Sequence, residues 1–451
     1  MHIILNIVVF FCSILALITV HEFGHFIVAK LLKVKVVRFS VGFGKALWKH
    51  QAKSGTEYQI AWLPLGGYVK LLDENEAPVP PQDQPRAFNR QALWKRASIV
   101  LAGPGINILF AILAFWMVAF IGKDEVKPII GAILPNTPAA IAQLPPKSEI
   151  VALNDQPVHS WQKISMKLIE RFGSTGNLPI TVRDKKGTQR YLLPLQEWSP
   201  KDELQPDPLA SLGIEPYQLF IPPVIHRIVP DGPAAHSNLR LNDRILAING
   251  KPVKSWMDFV QILRQYPKQT LSLTVQRGSK MGDVTVKTGR RLGGYQWIGY
   301  LGVEPLKPEW PADMQYNIYY APWPALKYAA RETYDFSVFH FVVLGKMITG
   351  EISFRGIGGP ISIYETTSLA FSQGLPIYLG FLGILSVMLA CVNILPIPGL
   401  DGGHLLFYVF EAILGRPLSL RWQMLILRLG FIVLILIMVQ ATVNDVLRWF
   451  S

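Results

Sequence analysis

The chain carries two histidines and a glutamate in a pattern that suits a catalytic zinc ion. His21, Glu22 and His25 form the sequence His-Glu-x-x-His. Helical positions four residues apart lie on one face, so both imidazoles can bind one metal ion. The glutamate beside the first histidine is then placed to take a proton from a water molecule that the zinc activates. This spacing predicts the metal site of a metalloprotease.

These three polar residues lie inside an apolar run of about residues 4–32, which is long enough to span a bilayer. Ionisable side chains within a membrane are costly, so they indicate a functional site. The alternative is that they are polar residues that pack in a helix bundle or line a pore, because so short a pattern also arises by chance. A second polar group further along the chain favours the metal site.

That second group contains Asn393 and Asp401, at the end of the third apolar run. Prolines and glycines break the helix here, which frees the backbone to direct Asp401 toward the metal as a third ligand. Two histidines and one carboxylate leave a fourth position open, as in catalytic zinc sites. An alternative remains open for each residue. For Asp401 it is a role as the cap of a helix after Gly399, and for Asn393 it is hydrogen bonding to neighbouring helices only.

The composition is that of a membrane protein with additional parts outside the bilayer. The chain has 451 residues, of which 50% are hydrophobic, and a net charge of +13. We predict four transmembrane helices, over about residues 4–32, 97–121, 377–395 and 425–443. No basic run interleaved with aromatic residues is found, so the sequence argues against nucleic acid as a partner. The two cysteines lie in apolar runs and are expected to be buried rather than disulfide-bonded.

Basic residues indicate the orientation in the membrane. The connections over residues 33–96 and 398–424 are rich in or flanked by lysine and arginine, so they are expected on the cytoplasmic side. The zinc pattern and Asp401 lie toward that side. Both termini and the long segment between the second and third spans are then expected on the opposite side.

Part of the first connection is apolar, aromatic and punctuated by glycine, over residues 41–44 and 58–69. We predict a β-hairpin or sheet that dips toward the membrane core, where non-helical backbone needs protein or a wet cavity around it. An exposed strand edge there offers main-chain pairing to an unwound substrate. The alternative is a short cytoplasmic sheet with no role in substrate binding.

The long extramembrane segment contains an internal repeat. The sequence Thr137–Ala140 recurs in similar form at Gly232–Ala235, and Ile150–Asn154 recurs at Ile245–Asn249, each with an offset of 95 residues. A constant offset indicates a duplicated domain, here expected over residues 126–219 and 220–310. Residues 311–375 are then expected to form amphipathic helices that lie against the bilayer. The alternative for them is a soluble linker of two helices.

Each repeat resembles a PDZ domain of the bacterial protease type, which implies a small β-barrel with two helices and a peptide groove. The segments Ser211–Pro216 and Tyr300–Pro305 resemble each other and the carboxylate-binding loop of PDZ domains. We expect each segment to close its own domain, in a permuted strand order. The candidate groove residues are Leu212, Gly213, Ile214, Leu301, Gly302 and Val303.

Taken together, the motifs resemble the site-2 protease family of intramembrane zinc metalloproteases, in particular its bacterial members with tandem PDZ domains. The resemblance rests on the zinc pattern, on the Ala102–Asn107 stretch in span two and on Asn393 with Leu400–Gly402 after span three. It implies a polytopic α-helical membrane protein with four transmembrane helices, a membrane-dipping β-hairpin and two tandem extramembrane PDZ domains.

The resemblance also implies roles for individual residues. One Zn²⁺ per chain would be bound by His21, His25 and Asp401, with Glu22 as the general base. Asn393 would contact the substrate backbone near the scissile bond. The strands of the first connection would present the substrate through Phe43, Gly44, Leu65, Gly66, Gly67 and Tyr68.

The implied partners are membrane lipid and single-pass membrane proteins that another protease has already shortened, such as an anti-sigma factor, and remnant signal peptides. The PDZ pair would exclude untrimmed substrates. The implied location is a bacterial inner membrane, with the PDZ domains and both termini in the periplasm.

Two other classes of function are a PDZ-bearing receptor or adaptor without catalysis and a zinc transporter. Glu22 argues against the first, since a structural zinc needs no base. The few polar residues in spans two and four argue against the second.

Overall fold

A computed structural model of the chain describes residues 2–195, 198, 207–293, 296–306 and 308–450. The helices of this described part are α1 His2–Leu31, α2 Leu93–Ile121, α3 Pro138–Ile141, α4 Trp161–Ile169, α5 Pro208–Leu212, α6 Trp256–Arg264, α7 Pro322–Ile348, α8 Pro360–Ser372, α9 Leu375–Ile394, α10 Asp401–Leu414 and α11 Leu420–Phe450. The strands are β1 Val36–Gln51, β2 Glu57–Leu71, β3 Lys123–Val126, β4 Ile130–Ile133, β5 Glu149–Leu153, β6 Gln156–Pro157, β7 Gly176–Asp184, β8 Gly187–Leu195, β9 Ile214–Pro216, β10 Ile225–Ile228, β11 Arg244–Ile248, β12 Lys251–Pro252, β13 Thr270–Arg277, β14 Lys280–Lys287, β15 Gly289–Gly293, β16 Gln296–Tyr300, β17 Val303–Pro305 and β18 Gln315–Ile318.

Four of these helices, α1, α2, α9 and α11, are long and apolar enough to cross a membrane. Helix α2 begins at Leu93, four residues before the predicted start, and so includes a charged first turn. The guanidinium of Arg96 in that turn is paired with the carboxylate of Glu411 and lies over the ring of Tyr408. A paired cation can end a membrane helix at lower cost than an isolated one, which explains the earlier start.

Helix α2 lies at the centre of the membrane part, between α1 on one side and α7 and α9 on the other. A buried cluster joins Phe115 of α2 to Phe336 of α7 and Val387 of α9. The amphipathic helix α7 therefore packs its apolar face, which includes Ala325 and Ala329, against membrane-spanning helices. This apolar stripe recurs every three to four residues, as expected for a helix buried on one face.

Strands β1 and β2 bend back on themselves and form a sheet of four segments. Residues 36–41 pair with residues 67–71 on one side and with residues 57–60 on the other, and residues 46–51 pair beyond them. Glycines with positive φ, at Gly42 and Gly44 in β1, allow the bend. The bend leaves large apolar side chains exposed, namely Phe43, Leu47, Trp48, Trp62 and Leu63.

The two repeats fold into domains of the same topology. Their four-stranded sheets have the orders β6-β5-β7-β8 and β12-β11-β13-β14, and a nine-residue helix, α4 or α6, packs on each. Strand β9 pairs with β4 and β17 pairs with β10, so the segment that follows each sheet returns to its own domain. Strands β3 and β18 pair at the base of the whole segment and join its two ends.

The last membrane helix is held at its far end by a buried carboxylate. Asp445 of α11 accepts hydrogen bonds from the backbone N–H groups of Gly359, Ile361 and Ser362, which lie at the first turn of α8. A carboxylate at that position satisfies the free N–H groups of a helix and suits its dipole. This contact joins α11 to the helices that follow the repeated domains.

Candidate metal centre and active site

Three potential metal ligands from two distant parts of the chain converge between α1, α2 and α10. Nε2 of His21 lies 3.2 Å from Nε2 of His25, and Oδ2 of Asp401 lies 3.1 Å and 3.4 Å from these two nitrogens. Zinc–ligand bonds of about 2.0–2.1 Å in a tetrahedron separate the ligand atoms by roughly 3.3–3.4 Å. The three atoms therefore have the spacing of one face of a zinc tetrahedron.

The protonation pattern of these residues also fits a cation. Nδ1 of His25 lies 2.8 Å from the carbonyl oxygen of Ile99, which can only accept, so Nδ1 carries the proton of the neutral ring. Nε2 of His25 then presents a lone pair. Oδ2 of Asp401 is buried and has no hydrogen-bond partner among the described residues. Electron-rich atoms this close together repel one another unless a metal ion lies between them.

The two histidines occupy one face of α1 because they are four residues apart, and α2 is shaped to receive them. A β-carbon at position 103 would overlap Nε2 of His25 and lie 2.8 Å from Cε1 of His21. Only glycine leaves this space for the two imidazole rings. The stretch Ala102–Asn107 was recognised as a motif in the sequence, but its contact with the rings depends on how α1 and α2 pack.

Asp401 is brought to the site by a sharp break after α9. The chain leaves α9 at Ile394, passes through Pro396 and Pro398, and begins α10 at Asp401. Gly402 permits this turn, because a β-carbon there would overlap the carbonyl oxygens of Ile394 and Leu395. Asp401 thus belongs to the first turn of a separate helix. The sequence predicts this break, because the prolines cannot continue a helix, but it does not predict that Asp401 begins the separate helix α10.

The β1–β2 sheet lies directly beside the proposed base. A β-carbon at position 67 would lie 3.4 Å from Cγ of Glu22, so β2 passes along the face of α1 that carries Glu22. Phe43 and Tyr68 stack with their ring centroids 6.1 Å apart, and Gly66 lies under the Phe43 ring. Gly44 has open space around it. The backbone of Leu65 belongs to β2, but its side chain lies outside the described part of the structure.

Other predicted site residues have different surroundings. Nδ2 of Asn393 donates to the carbonyl oxygen of Leu389 within α9, a contact that leaves the amide oxygen of this half-buried residue for other partners. Among the groove candidates, Leu212, Ile214 and Leu301 belong to the buried cores of their domains. Their side chains therefore do not line an open groove. The Val303 side chain is partly buried against the second core, so mainly backbone groups of these segments are left for binding.

Three residues that contact the histidines have no role assigned from the sequence. They are Gly103, Asn107, and Ile99, which acts through its backbone carbonyl. A backbone acceptor carries no sequence signal. The spacing of Ile99, Gly103 and Asn107 at intervals of four residues is the only available sign that they share a face of α2.

Comparisons with known proteins cover nearly the whole chain. The model of peptidase family M50 matches residues 9–437. The regulator of sigma-E protease of Escherichia coli K12 is 39% identical over 97% of this chain and 98% of its own length. A putative zinc metalloprotease of Vibrio cholerae is 35% identical over 98% of each chain. Among solved structures, a PDZ domain of an SdrC-like protein from Listeria monocytogenes covers 20% of this chain and 92% of that chain, at 19% identity and a TM-score of 0.17. Since the family model and the relatives span almost the entire chain, the protein belongs to peptidase family M50, the site-2 protease family, and is a zinc metalloprotease.

Proposed function

We propose that this chain hydrolyses a peptide bond within the transmembrane segment of single-pass membrane proteins. The observation that carries the proposal is the convergence of His21, His25 and Asp401 beside apolar membrane-spanning helices. One zinc ion per chain would be bound by these three residues. When bound, zinc supplies a Lewis acid that polarises the peptide carbonyl and makes water a nucleophile at neutral pH. Three protein ligands would leave a fourth coordination position for water or substrate.

Glu22 is the general base of this proposal. Its carboxylate takes the proton of the attacking water and returns it to the amide nitrogen that leaves. The side-chain amide of Asn393 binds the substrate backbone near the scissile bond. The edge of the β1–β2 sheet pairs with the unwound substrate, and Phe43, Gly66 and Tyr68 shape that edge. The nearness of β2 to Glu22 supports this arrangement.

The proposed location is a bacterial inner membrane, with the sheet dipping into the bilayer and the active site toward the cytoplasm. The basic connection over residues 33–96 supports this orientation, as do the exposed apolar side chains of the sheet, such as Trp62. The repeated domains and both termini are then periplasmic.

Single cysteines introduced near Asp401 test this orientation. They are expected to react with a membrane-impermeant reagent only from the cytoplasmic face. Labelling only from the outer face would contradict the orientation.

The relatives named as regulators of sigma-E protease suggest the substrates. We propose that the substrates are an anti-sigma factor that has first been cut by another protease, and remnant signal peptides.

The two repeats act as tandem PDZ domains that exclude untrimmed substrates. Residues 127–314 can be replaced by an Asn-Gly turn that joins the paired strands β3 and β18. The shortened enzyme is expected to cut an untrimmed substrate. If it does not, the domains recruit substrates and do not filter them.

The decisive experiment compares the parent chain with Glu22→Gln. Both are purified in detergent, their zinc content is measured, and each receives a single-pass substrate that lacks its outer domain. We expect cleavage inside the membrane segment by the parent, and zinc without cleavage for Glu22→Gln. A parent chain that holds zinc but cuts no substrate would favour the alternative, a PDZ-bearing receptor or adaptor.

A further inference from the structure

Asn107 is a polar residue at a place where a polar residue is costly. It lies in the middle of the membrane-spanning helix α2 and is fully buried. Nδ2 of its amide lies 3.3 Å from Nδ1 of His21, and its Oδ1 is buried without a hydrogen-bond partner among the described residues. Buried amides inside a membrane are usually satisfied or functional. Because the Asn107 amide contacts His21, a functional role for it at the metal centre can be tested.

The chemistry of the imidazole ring determines which amide atom must face it. Nε2 of His21 points toward Oδ2 of Asp401 at 3.1 Å, so this nitrogen is the one available to a metal. A neutral ring that uses Nε2 as a ligand carries its proton on Nδ1, which is then a donor. A donor cannot bond to the NH₂ group of Asn107. It can bond to Oδ1 once the planar amide turns by half a rotation, which exchanges the two atoms.

The same amide therefore suits both forms of the ring. With Nδ2 toward His21, as in this structure, the amide donates to an unprotonated Nδ1. With Oδ1 toward His21, it accepts from Nδ1–H and leaves the lone pair of Nε2 for zinc. The residue at this position must consequently offer an acceptor in the metal-bound form. An apolar residue of the same volume would fill the space without offering one.

The neighbouring histidine shows the same principle with a different partner. Nδ1 of His25 is held by the backbone carbonyl of Ile99, one helical turn before Gly103 and two before Asn107. One face of α2 thus provides an acceptor for His25, a gap for both rings and an amide for His21. Oγ of Ser386 on α9 donates to the backbone carbonyl of Asn107 at 2.8 Å, a bond that does not involve the Asn107 amide.

We propose that Asn107 is a positioning residue of the metal centre: its side-chain oxygen accepts a hydrogen bond from Nδ1–H of His21 and holds that ring in the form whose Nε2 binds zinc. This inference rests on the proposed zinc ligands. Partners of this kind around metal-binding histidines typically change metal affinity by about 10- to 100-fold. Asn107 touches neither the substrate nor the reacting atoms in this role.

Two substitutions at this position separate the acceptor role from a packing role. Asn107→Leu keeps the volume and removes the acceptor, whereas Asn107→Asp keeps the acceptor and removes the NH₂ group. The matched control is Ser386→Ala, which removes the bond to the backbone of Asn107 and leaves its amide intact. Each full-length variant is purified in detergent. Its dissociation constant for zinc is measured by competition with a chelator, and its melting midpoint is measured after metal removal.

We expect Asn107→Leu to bind zinc about 10- to 100-fold more weakly, with a metal-free melting midpoint at or above that of the parent. Asn107→Asp and Ser386→Ala are expected to stay within about threefold of the parent. A packing role predicts the reverse order, because leucine fits an apolar site better than a buried carboxylate. Zinc binding by Asn107→Leu within about threefold of the parent would overturn the proposal.

The design remains decisive if the leucine variant does not fold. In that case Asn107→Asp decides, since an acceptor role predicts zinc affinity within about threefold of the parent and a loss of about tenfold or more rejects it. Failure of the protease function is distinguishable. A parent chain that binds zinc but cuts no substrate would contradict the proposed function and leave the role of Asn107 intact, because zinc affinity is measured without substrate.

Discussion

Two regions of this protein are held together in opposite ways. At the metal centre, backbone approaches backbone through glycines, and a single added carbon at Gly103 would overlap the imidazole of His25. Between the first repeated domain and the membrane helices, charged side chains bridge a cavity of about 910 Å³. There Lys163 of α4 is paired with Glu332 at 3.0 Å and with Asp335 at 3.1 Å, both on α7.

The difference suits what each region must do. Metal ligands tolerate displacements of only a few tenths of an ångström, which close packing can enforce. A domain beside the membrane helices can be held in part by ion pairs, whose strength is modest and whose geometry is adjustable. The second domain has a core made of its own residues, whereas the core of the first includes Met347 and Ile352 from the helical region beyond the repeats. The duplication thus produced one anchored and one self-contained domain.

The largest effect is expected from a substitution that fills the space that Gly103 leaves for the two imidazole rings. Gly103→Ala is expected to push both imidazoles out of place, with at least about a tenfold loss of zinc affinity and loss of cleavage. Gly105→Ala on the same helix is the matched control, because an added β-carbon there has no atom within 4 Å. Zinc per chain is measured by elemental analysis of both purified variants. Equal zinc content in the two would show that the close packing is not needed.

A smaller effect is expected from the ion pair that holds α10 against α2. Glu411→Gln leaves Arg96 without a carboxylate in a site where the two side chains are only 13% and 18% exposed. Removing one partner of such a pair costs about 2–3 kcal/mol of stability, and because Asp401 lies on α10, zinc should bind several-fold more weakly. The measurements are the melting midpoint and the zinc dissociation constant. Glu76→Gln, in an exposed pair with Lys70, should change both by much less.

Loosening the charged interface should leave the metal centre unaffected. Lys163→Met leaves Glu332 without its cation, while Asp335 keeps its ion pair with Arg331 on the same helix. The link between α4 and α7 is lost, so α4 should exchange its amide hydrogens about tenfold faster. Zinc affinity is expected to stay within about threefold of the parent value. Lys167→Met is the control on the same helix, since the Lys167 ammonium is exposed and bonds to the amide of Gln156. Unchanged exchange in Lys163→Met would mean that apolar contacts alone anchor the first domain.

The smallest expected effect is a pH dependence of the same interface. Burial raises the pKa of Glu332 above its usual range, and the charges of Asp335 and Glu125 add to this while Lys163 opposes it. The folded protein therefore binds a proton at a pH where the unfolded chain does not. Its contribution to stability is fully present below the usual carboxyl pKa and is lost as the pH rises through the raised value.

Acidification from neutral pH toward the usual carboxyl pKa should consequently raise the melting midpoint of the parent relative to Glu332→Gln. Glutamine has no proton to gain at this position, so the difference between the two curves isolates Glu332 from other titrating groups. Parallel curves for the two proteins would show that Glu332 does not titrate in this range.

Much of the architecture could be predicted because it is encoded locally. The four apolar runs became α1, α2, α9 and α11, with ends shifted by a few residues. Membership of the site-2 protease family of zinc metalloproteases was predicted from His21, Glu22, His25 and Asp401, and the family comparison confirms it. The packing of α7 against the spans was less predictable, since an amphipathic stripe covers a membrane surface or a neighbouring helix equally well.

The sequence by itself determined the types of the donor groups, their spacing along α1 and the segments that can cross a membrane, because these depend on neighbours within one or two helical turns. The tertiary structure alone decided that Asp401 lies 3.1 Å from His21, that Gly103 gives room to the rings and that Ile99 and Asn107 face the two Nδ1 atoms. Such distances depend on how helix surfaces fit together across long stretches of chain. That fit is a property of all the contacting side chains at once and is not contained in any single motif.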